Sequence, residues 1–297
     1  MSRLSTRLDR RDVLTMIGAG VLAPLTTWGD ERPFQITGID HVTITVADPA
    51  RSLAFYTRLF GNAVLKDKDG CHYVKVGSAY VGLTPQKRGK QPAGGNQIGP
   101  GIQSFDLPAV ESSLQRAAIP YRQTKGQGLL VADSDGILTQ FWAENSWNEL
   151  QKIGQPVSVA AKQEPLIQAT SINHLLLAVN DPERAALFYS KIFGPIAQRT
   201  PPRPPLSGRI WYQAGTHRIG LAPLNQGYNT SGQRPGIDHF GVIAPFERES
   251  LIKGLTEAGA KVLPQGEGPE AAGVDFQDPD GVRLQVMPPP APRQKKA

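Results

Sequence analysis

The feature that most constrains this chain is an internal repeat. The segment Ile39 to Gly61, IDHVTITVADPARSLAFYTRLFG, recurs without a gap as Ile172 to Gly194, INHLLLAVNDPERAALFYSKIFG. His174 therefore lies 133 residues after His41, and Gly194 lies 133 residues after Gly61. Self-similarity at a fixed spacing indicates one structural unit that is present more than once.

Each copy predicts a strand followed by a helix. The β-rich run ends in Asp-Pro, where Asp48 or Asp181 is expected to cap the helix and the proline to occupy its first position. Gly61 and Gly194 are expected to end the two helices. Each helix carries an aromatic pair that we expect to face the sheet as core, Phe55-Tyr56 in one and Phe188-Tyr189 in the other.

A second half-unit is predicted after each copy. We expect it to open with Gly101-Ile-Gln-Ser-Phe105 in the first copy and with Gly236-Ile-Asp-His-Phe240 in the second, after glycine-rich linkers. A helix follows, and each half-unit closes with an Asp-Gly turn and a strand, in DSDGILTQF from Asp133 and DPDGVRLQV from Asp278.

The sequence thus predicts an α+β fold of four βαβββ units arranged as two modules. Module 1 is expected over residues 36–145 and module 2 over residues 171–288, with residues 146–170 as a linker. Residues 289–297 form a basic, proline-rich tail that we expect to be disordered.

The N-terminal residues resemble an export signal. Adjacent Arg10 and Arg11 precede an apolar run from Met16 to Leu25, the layout of a twin-arginine signal peptide. A run of about ten residues is too short for a membrane span, which needs about twenty. We therefore predict a signal over residues 1–32, a periplasmic location and no membrane span.

Charge and cysteine content exclude other classes of function. The net charge of +6 is partly due to the basic residues that follow Pro292, and no Lys/Arg stripe interleaved with aromatics appears between Gly38 and Met287. Nucleic acid is therefore not expected as a partner. The single cysteine, Cys71, has no partner for an intramolecular disulfide and is expected to be a small strand residue.

Three motifs together resemble the vicinal oxygen chelate superfamily, which includes glyoxalase I, fosfomycin-resistance enzymes and extradiol ring-cleaving dioxygenases. They are the histidine of the first strand, the FYxxxFG helix and the DPDG closing turn. The resemblance extends from about Gly38 to Met287. It implies that the half-units of a module form a cup, with metal ligands on the first strand of each half-unit and on a closing strand.

Carried over position by position, the resemblance gives module 2 the ligands His174, His239 and Gln285. Two imidazoles and an oxygen donor can hold a divalent metal ion, for which Fe(II) or Mn(II) is expected. Module 1 offers only His41, with Ser104 and Gln140 at the other two positions. That is a poor metal site, so module 1 is predicted to be structural or to serve as a partner surface, with His41 as a core histidine.

The sequence also departs from the patterns of the family. The dioxygenases have a glutamate at the position of Gln285 and a tyrosine near the position of Asp275, whereas some glyoxalase I enzymes use a glutamine ligand. Asp275 and His217 are the candidates for proton transfer, although for His217 an ordinary role in a turn or strand is slightly favoured. Gly220 stands where glyoxalases have an acidic ligand.

Three functions remain open at this point. The first is an exported metal-dependent enzyme acting on a small substrate with vicinal oxygens, most like an extradiol dioxygenase. The second is an isomerase or lyase acting on the same chelate. The third is a non-catalytic protein that binds a small molecule in its cup. The sequence leaves association of identical chains open.

Overall fold

The computed structural model describes residues 34–87, 93–124, 128–159, 164–202, 208–224, 234–265 and 271–290. The predicted signal segment and most of the predicted tail lie outside these ranges. Within them, no helix is long and apolar enough to cross a membrane.

Module 1 consists of two units with the same order of elements. The first unit contains β1 (Ile36–Val46), α1 (Pro49–Phe60), β2 (Val64–Lys66), β3 (His72–Val76) and β4 (Ala79–Pro85). The second contains β5 (Gly94–Ile102), α2 (Leu107–Arg116), β6 (Arg122–Gln123), β7 (Leu129–Ala132) and β8 (Leu138–Ala143). Helix α3 (Trp147–Ile153) and strand β9 (Gln155–Pro156) follow.

Module 2 repeats this order. Its first unit contains β10 (Ile172–Val179), α4 (Pro182–Phe193), β11 (Gln198–Thr200), β12 (Arg209–Ala214) and β13 (His217–Pro223). Its second unit contains β14 (Gly236–Ile243), α5 (Arg248–Glu257), β15 (Lys261–Val262), β16 (Val274–Gln277) and β17 (Arg283–Met287). The prediction of four βαβββ units in two modules is confirmed.

The first strands of the two units pair with each other in the middle of each module. β1 is antiparallel to β5 and β10 is antiparallel to β14, and each of these strands is parallel to the last strand of its own unit. Module 2 has the strand order β11-β12-β13-β10-β14-β17-β16-β15. One pairing between Ile237 and Gly95 joins the sheets of the two modules.

The predicted ends of the two repeated helices are confirmed. The Asp48 carboxylate accepts hydrogen bonds from two backbone N–H groups of the first turn of α1, and Asp181 does the same for α4. Gly61 and Gly194 follow the helices with φ angles of 100° and 81°, a region that glycine adopts without strain.

Alternation along the strands gives each sheet a helix-covered face and a free face. In β10, Leu175, Leu177 and Val179 belong to the main core, which residues of both modules form together with the helices. His174 and Leu176 point to the opposite face. We call this helix-free face of the module 2 sheet the cup of module 2, and its equivalent in the other sheet the cup of module 1.

The segment predicted as a linker closes the cup of module 1. Trp147 and Leu150 of α3 are buried in a separate apolar cluster with Leu65, Tyr80 and Trp142. Tyr80 alternates along β4 with core residues, so this cluster lies on the face of the sheet opposite the core, and α3 covers that face. The cup of module 1 is therefore filled by the protein's own side chains, whereas the structure shows no equivalent helix over module 2 among the described residues.

A tyrosine of module 1 binds an aspartate of module 2. The hydroxyl of Tyr56 on α1 donates to Asp278 Oδ2 at 2.9 Å, with both side chains buried. Two residues further on in the same turn, Asp280 accepts from Ser52 Oγ at 2.7 Å and from the Arg51 guanidinium at 3.0 Å. The repeated helix and the repeated closing turn thus meet across the two modules.

The reciprocal contact has the same form. The hydroxyl of Tyr189 on α4 donates to Asp133 Oδ2 of module 1 at 2.9 Å. Asp135 accepts from the Asn180 backbone N–H at 2.7 Å and from the Arg184 guanidinium at 3.0 Å. We call these two contacts the Tyr–Asp bridges. They show that the tyrosine of each aromatic pair has a polar partner in addition to its place in the core.

Candidate metal centre in module 2

The structure brings His174, His239 and Gln285 together in the cup of module 2. His174 on β10 lies opposite Gly241 on β14, which in turn pairs with Gln285 on β17. The rings of His174 and His239 have centroids 5.3 Å apart and are nearly perpendicular. A Cβ atom at position 241 would overlap the His174 ring, so the ring depends on glycine there.

Both imidazoles are oriented by the residue that precedes them in the sequence. Asp238 Oδ2 lies 2.7 Å from His239 Nδ1, and Asn173 Oδ1 lies 3.3 Å from His174 Nδ1. We assign the proton to Nδ1 in both rings because the neighbouring oxygens can only accept. The Nε2 lone pairs are then free to bind a metal ion, the arrangement in which a second side chain fixes a ligating histidine.

The surroundings of His174 keep its ring neutral. The His174 side chain is half-buried. Burial lowers the pKa of His174 to about 3, and the nearby positive charges of Arg218 and Arg283 act in the same direction. A neutral imidazole is the form that binds a metal ion, so no proton has to be displaced from His174 at neutral pH.

Asp275 sets the orientation of the Gln285 amide. Gln285 Nε2 donates to the Asp275 carboxylate at 3.2 and 3.4 Å, so the amide oxygen Oε1 faces away from Asp275. Asp275 is itself held by Arg283, whose Nε and Nη2 lie 2.9 and 2.7 Å from Oδ1. All of these side chains except His174 are buried.

This donor set fits a divalent metal ion. Two imidazole nitrogens and one amide oxygen are acceptable ligands for Fe(II), Mn(II) or Zn(II), and three protein ligands leave positions for a substrate. The carboxylates of Asp238 and Asp275 lie behind the ligands, and Arg283 compensates part of their charge. Within the described ranges no group of three or more His, Cys, Asp or Glu side chains could hold a metal, because the third donor here is an amide.

The two predicted proton-transfer residues lie in different places. Asp275 is at the centre, but its ion pair with Arg283 and its contact with Gln285 make it a positioning residue. His217 is not in the cluster. Its Nδ1 accepts from the Ile39 backbone N–H at 2.8 Å, so it contacts module 1 at the junction of the modules. Burial lowers the pKa of His217, in keeping with its role as a neutral acceptor.

The interpretation of Ser104 as the module 1 counterpart of His239 is wrong. Strand β5 begins at Gly94, and His41 pairs with Gly99 as His174 pairs with Gly241, so the counterpart of His239 is Gln97. Ser104 lies in the turn after β5 with a φ angle of 49°. The second half-unit of module 1 therefore begins at Gly94 and not at Gly101 as expected.

The cup of module 1 has a different chemistry. Gln97 Nε2 donates to Gln140 Oε1 at 2.6 Å, so the two amides satisfy each other. His41 is only 1% exposed and stacks on Tyr80 with centroids 4.8 Å apart. Its Nδ1 faces Asp40 Oδ2 at 2.9 Å. One enclosed imidazole and two paired amides support the predicted structural role of module 1.

Sequence reasoning missed the residues that orient the ligands. A sequence signal for them was present, because a polar residue precedes each strand histidine. The motif is Ile-Asp-His at His41 and His239 and Ile-Asn-His at His174. The pairing of Arg283 with Asp275 had no such signal. It depends on the register of β16 and β17, in which Asp275 lies opposite Gln285.

The chain was compared with known sequences and structures. The sequence model described as Glyoxalase/Bleomycin resistance protein/Dioxygenase superfamily matches residues 38–118 and 171–286. Among curated proteins, none matches this chain.

Solved structures share the fold at low sequence identity. The 2,3-dioxygenase LapB from Pseudomonas sp. KL28 superposes with a TM-score of 0.62 at 14% identity, covering 88% of this chain and 96% of its own. The Mn(II)-bound glyoxalase from Novosphingobium aromaticivorans gives 0.60 at 16%, with 86% and 83% covered. The 2,2',3-trihydroxybiphenyl 1,2-dioxygenase from Sphingomonas wittichii strain RW1 gives 0.59 at 16%, with 85% and 90% covered.

Proposed function

Because the chain belongs to the Glyoxalase/Bleomycin resistance protein/Dioxygenase superfamily, we propose that it is a metal-dependent enzyme whose active centre is the cup of module 2. Its substrate is a small molecule with two adjacent oxygen atoms, and extradiol-type ring cleavage is the reaction proposed first. The observation that carries this proposal is the convergence of His174, His239 and Gln285 on one face of the sheet.

In this proposal His174, His239 and Gln285 hold Fe(II) or Mn(II). Such an ion supplies Lewis-acid stabilisation of a substrate anion and, with O₂ as co-substrate, the redox chemistry of ring cleavage. Asp238 and Asn173 keep the imidazoles in the orientation that presents Nε2. Asp275 keeps the amide oxygen of Gln285 turned toward the ligands.

The donor set also explains why the site is expected to be weak. All three ligands are neutral, so the ion keeps its full charge and a carboxylate contribution to affinity is missing. A metal of high residual charge favours binding of an anionic chelating substrate. The same neutrality supports a second candidate, a protein that binds a small molecule in this cup without turnover.

Metal analysis and oxygen uptake separate these functions. The protein is purified without an affinity tag or chelator, its metal content is measured, and it is reconstituted with Fe(II) without oxygen. The enzyme proposal predicts one ion per chain, lost in His239→Ala, and oxygen uptake with a 1,2-dihydroxybenzene. If the protein binds the diol without consuming oxygen or converting it, the binding-protein alternative is correct.

We also propose that the chain is exported to the periplasm by the twin-arginine route. The support is the Arg10-Arg11 pair before a short apolar run. Replacing both residues, Arg10→Lys with Arg11→Lys, should leave the protein in the cytoplasm at its precursor mass. Cell fractionation and mass spectrometry test this, and unchanged export of the double variant would contradict it.

A further inference from the structure

An arginine lies at the edge of the candidate metal centre. Arg218 on β13 is the register partner of His174 in the parallel pair β10–β13, so both side chains point to the cup. Trp211 pairs with Gly220 on the neighbouring strand and reaches the same face.

Arg218 is held in place without a counter-ion. Its guanidinium lies over the Trp211 ring at 4.6 Å from the centroid, and Nη2 donates to Gln198 Oε1 at 2.6 Å. No carboxylate of the described residues lies within ion-pair distance of it. By contrast, Arg199 on β11 pairs with Glu183 and Arg283 pairs with Asp275. Burial slightly disfavours the charge and lowers the pKa of Arg218.

A buried apolar cluster lies next to the arginine. Leu176, Trp211 and Ala222 form a small buried cluster that is separate from the main core. A Cβ atom at Gly220 would lie 2.7 Å from both the Leu176 side chain and the Trp211 ring, so these two groups meet over the glycine. The buried cluster therefore lies beneath the guanidinium, and the cation and the histidine pair share this face of the sheet.

Module 1 supplies an internal comparison. The residue that pairs with His41, as Arg218 pairs with His174, is Tyr80. Tyr80 stacks on the histidine with an interplanar angle of 10° and is buried with α3. The cup of module 1 thus has an aromatic ring at this position, while the cup of module 2 has a charged group there beside a half-buried histidine.

We propose that Arg218, fixed on Trp211, binds a carboxylate of the substrate of this site. The body of the substrate then extends from the guanidinium to the histidine pair, which its two adjacent oxygens face. This inference rests on the proposed function and narrows it to small aromatic acids that carry vicinal oxygens. An arginine suits this role because its planar guanidinium can bind both oxygens of a carboxylate.

Three probes test the inference by calorimetry, each with the wild type, Arg218→Gln and the control Arg199→Gln. Benzoate is titrated into metal-free protein, and catechol and 3,4-dihydroxybenzoate are titrated into both the metal-free and the Mn(II)-loaded protein. In the wild type, 3,4-dihydroxybenzoate should bind at least tenfold more tightly than catechol. Arg218→Gln should abolish this preference and benzoate binding while leaving catechol binding unchanged, and Arg199→Gln should behave as the wild type.

The outcomes distinguish this inference from the proposed function. It is overturned if the wild type does not prefer the carboxylated diol and does not bind benzoate, or if Arg218→Gln retains both properties. If benzoate binding depends on Arg218 but neither diol responds to the metal, the anion site stands and the proposed chelation is wrong. Arg218→Lys, which keeps the charge but not the planar fork, should give an intermediate loss.

Discussion

Replacing Gln285 by glutamate adds a carboxylate to a neutral ligand set, but it also affects Asp275. In the wild type the Gln285 amide donates to Asp275, and a glutamate has no hydrogen to donate at neutral pH. The variant therefore places two carboxylates in contact. Removing the second charge with Asp275→Asn restores a donor, because the introduced amide can donate to the new glutamate and still accept from Arg283.

The magnitudes decide the outcome. The distance between Gln285 Nε2 and Asp275 Oδ2 is 3.2 Å. Two negative charges at that separation repel by about 5 kcal/mol at an effective dielectric constant of about 20. Arg283 offsets part of this repulsion, yet a tenfold gain in metal affinity is worth only about 1.4 kcal/mol. In the metal-free single variant the pair of carboxyls should therefore hold a proton at neutral pH.

Titration of Mn(II) into four proteins by calorimetry at pH 6, 7 and 8 tests this reasoning. Gln285→Glu should show metal affinity that rises with pH, since the ion must displace a proton. Gln285→Glu combined with Asp275→Asn should bind at least tenfold more tightly than the wild type at every pH, and Asp275→Asn alone should bind no more tightly. Equal affinities in the wild type and the double variant would refute contact between Gln285 and the metal. A single variant as tight as the double would refute the role given to Asp275.

Other predictions concern the two modules. His239→Ala should abolish Mn(II) binding while His41→Ala leaves it intact, and equal loss from both in calorimetry would mean that the wrong cup was chosen. Tyr189→Phe removes a buried hydrogen bond and should lower the free energy of unfolding by about 1–3 kcal/mol in urea denaturation; no change would show that the bridge contributes nothing. Burial raises the pKa of both Asp133 and Asp278 to about 6, so the folded state binds more protons than the unfolded state between pH 4 and 6. Stability should therefore fall as pH rises through this range, by up to about 3 kcal/mol for each residue, and a denaturation series in which the Asn variants keep the wild-type slope would contradict this.

The sequence predicted those parts of the fold that local pattern encodes. Asp48 and Asp181 cap their helices and the final glycines end them, because capping depends on residues within one turn. His174 and His239 were placed correctly in one cup, since the repeat fixes the equivalence of the first strands. The ligand role of Gln285 stays a prediction, but the register of the strands places Gln285 beside Gly241, which lies opposite His174.

The errors have identifiable physical causes. Gln97 was missed because β5 lies in a glycine-rich stretch, GGNQIGPGI, whose weak alternation does not define which residues face the cup. The partners of His217 and Arg218 lie on other strands, so no local pattern indicates that one contacts module 1 and the other the cup. Helix α3 was read as a linker because its seven residues contain only a short apolar pattern.

The Tyr–Asp bridges close the four units into a ring. Within a module the first and second units meet through their central strands, and between modules each second unit meets the other module's first unit through a bridge. Every unit therefore has at least two neighbours, and none depends on its covalent connection alone. The order of the units along the chain is then only one of several that give the same ring. A circular permutant that joins the end of β17 to the start of β1 and opens the chain between β9 and β10 keeps all four contacts.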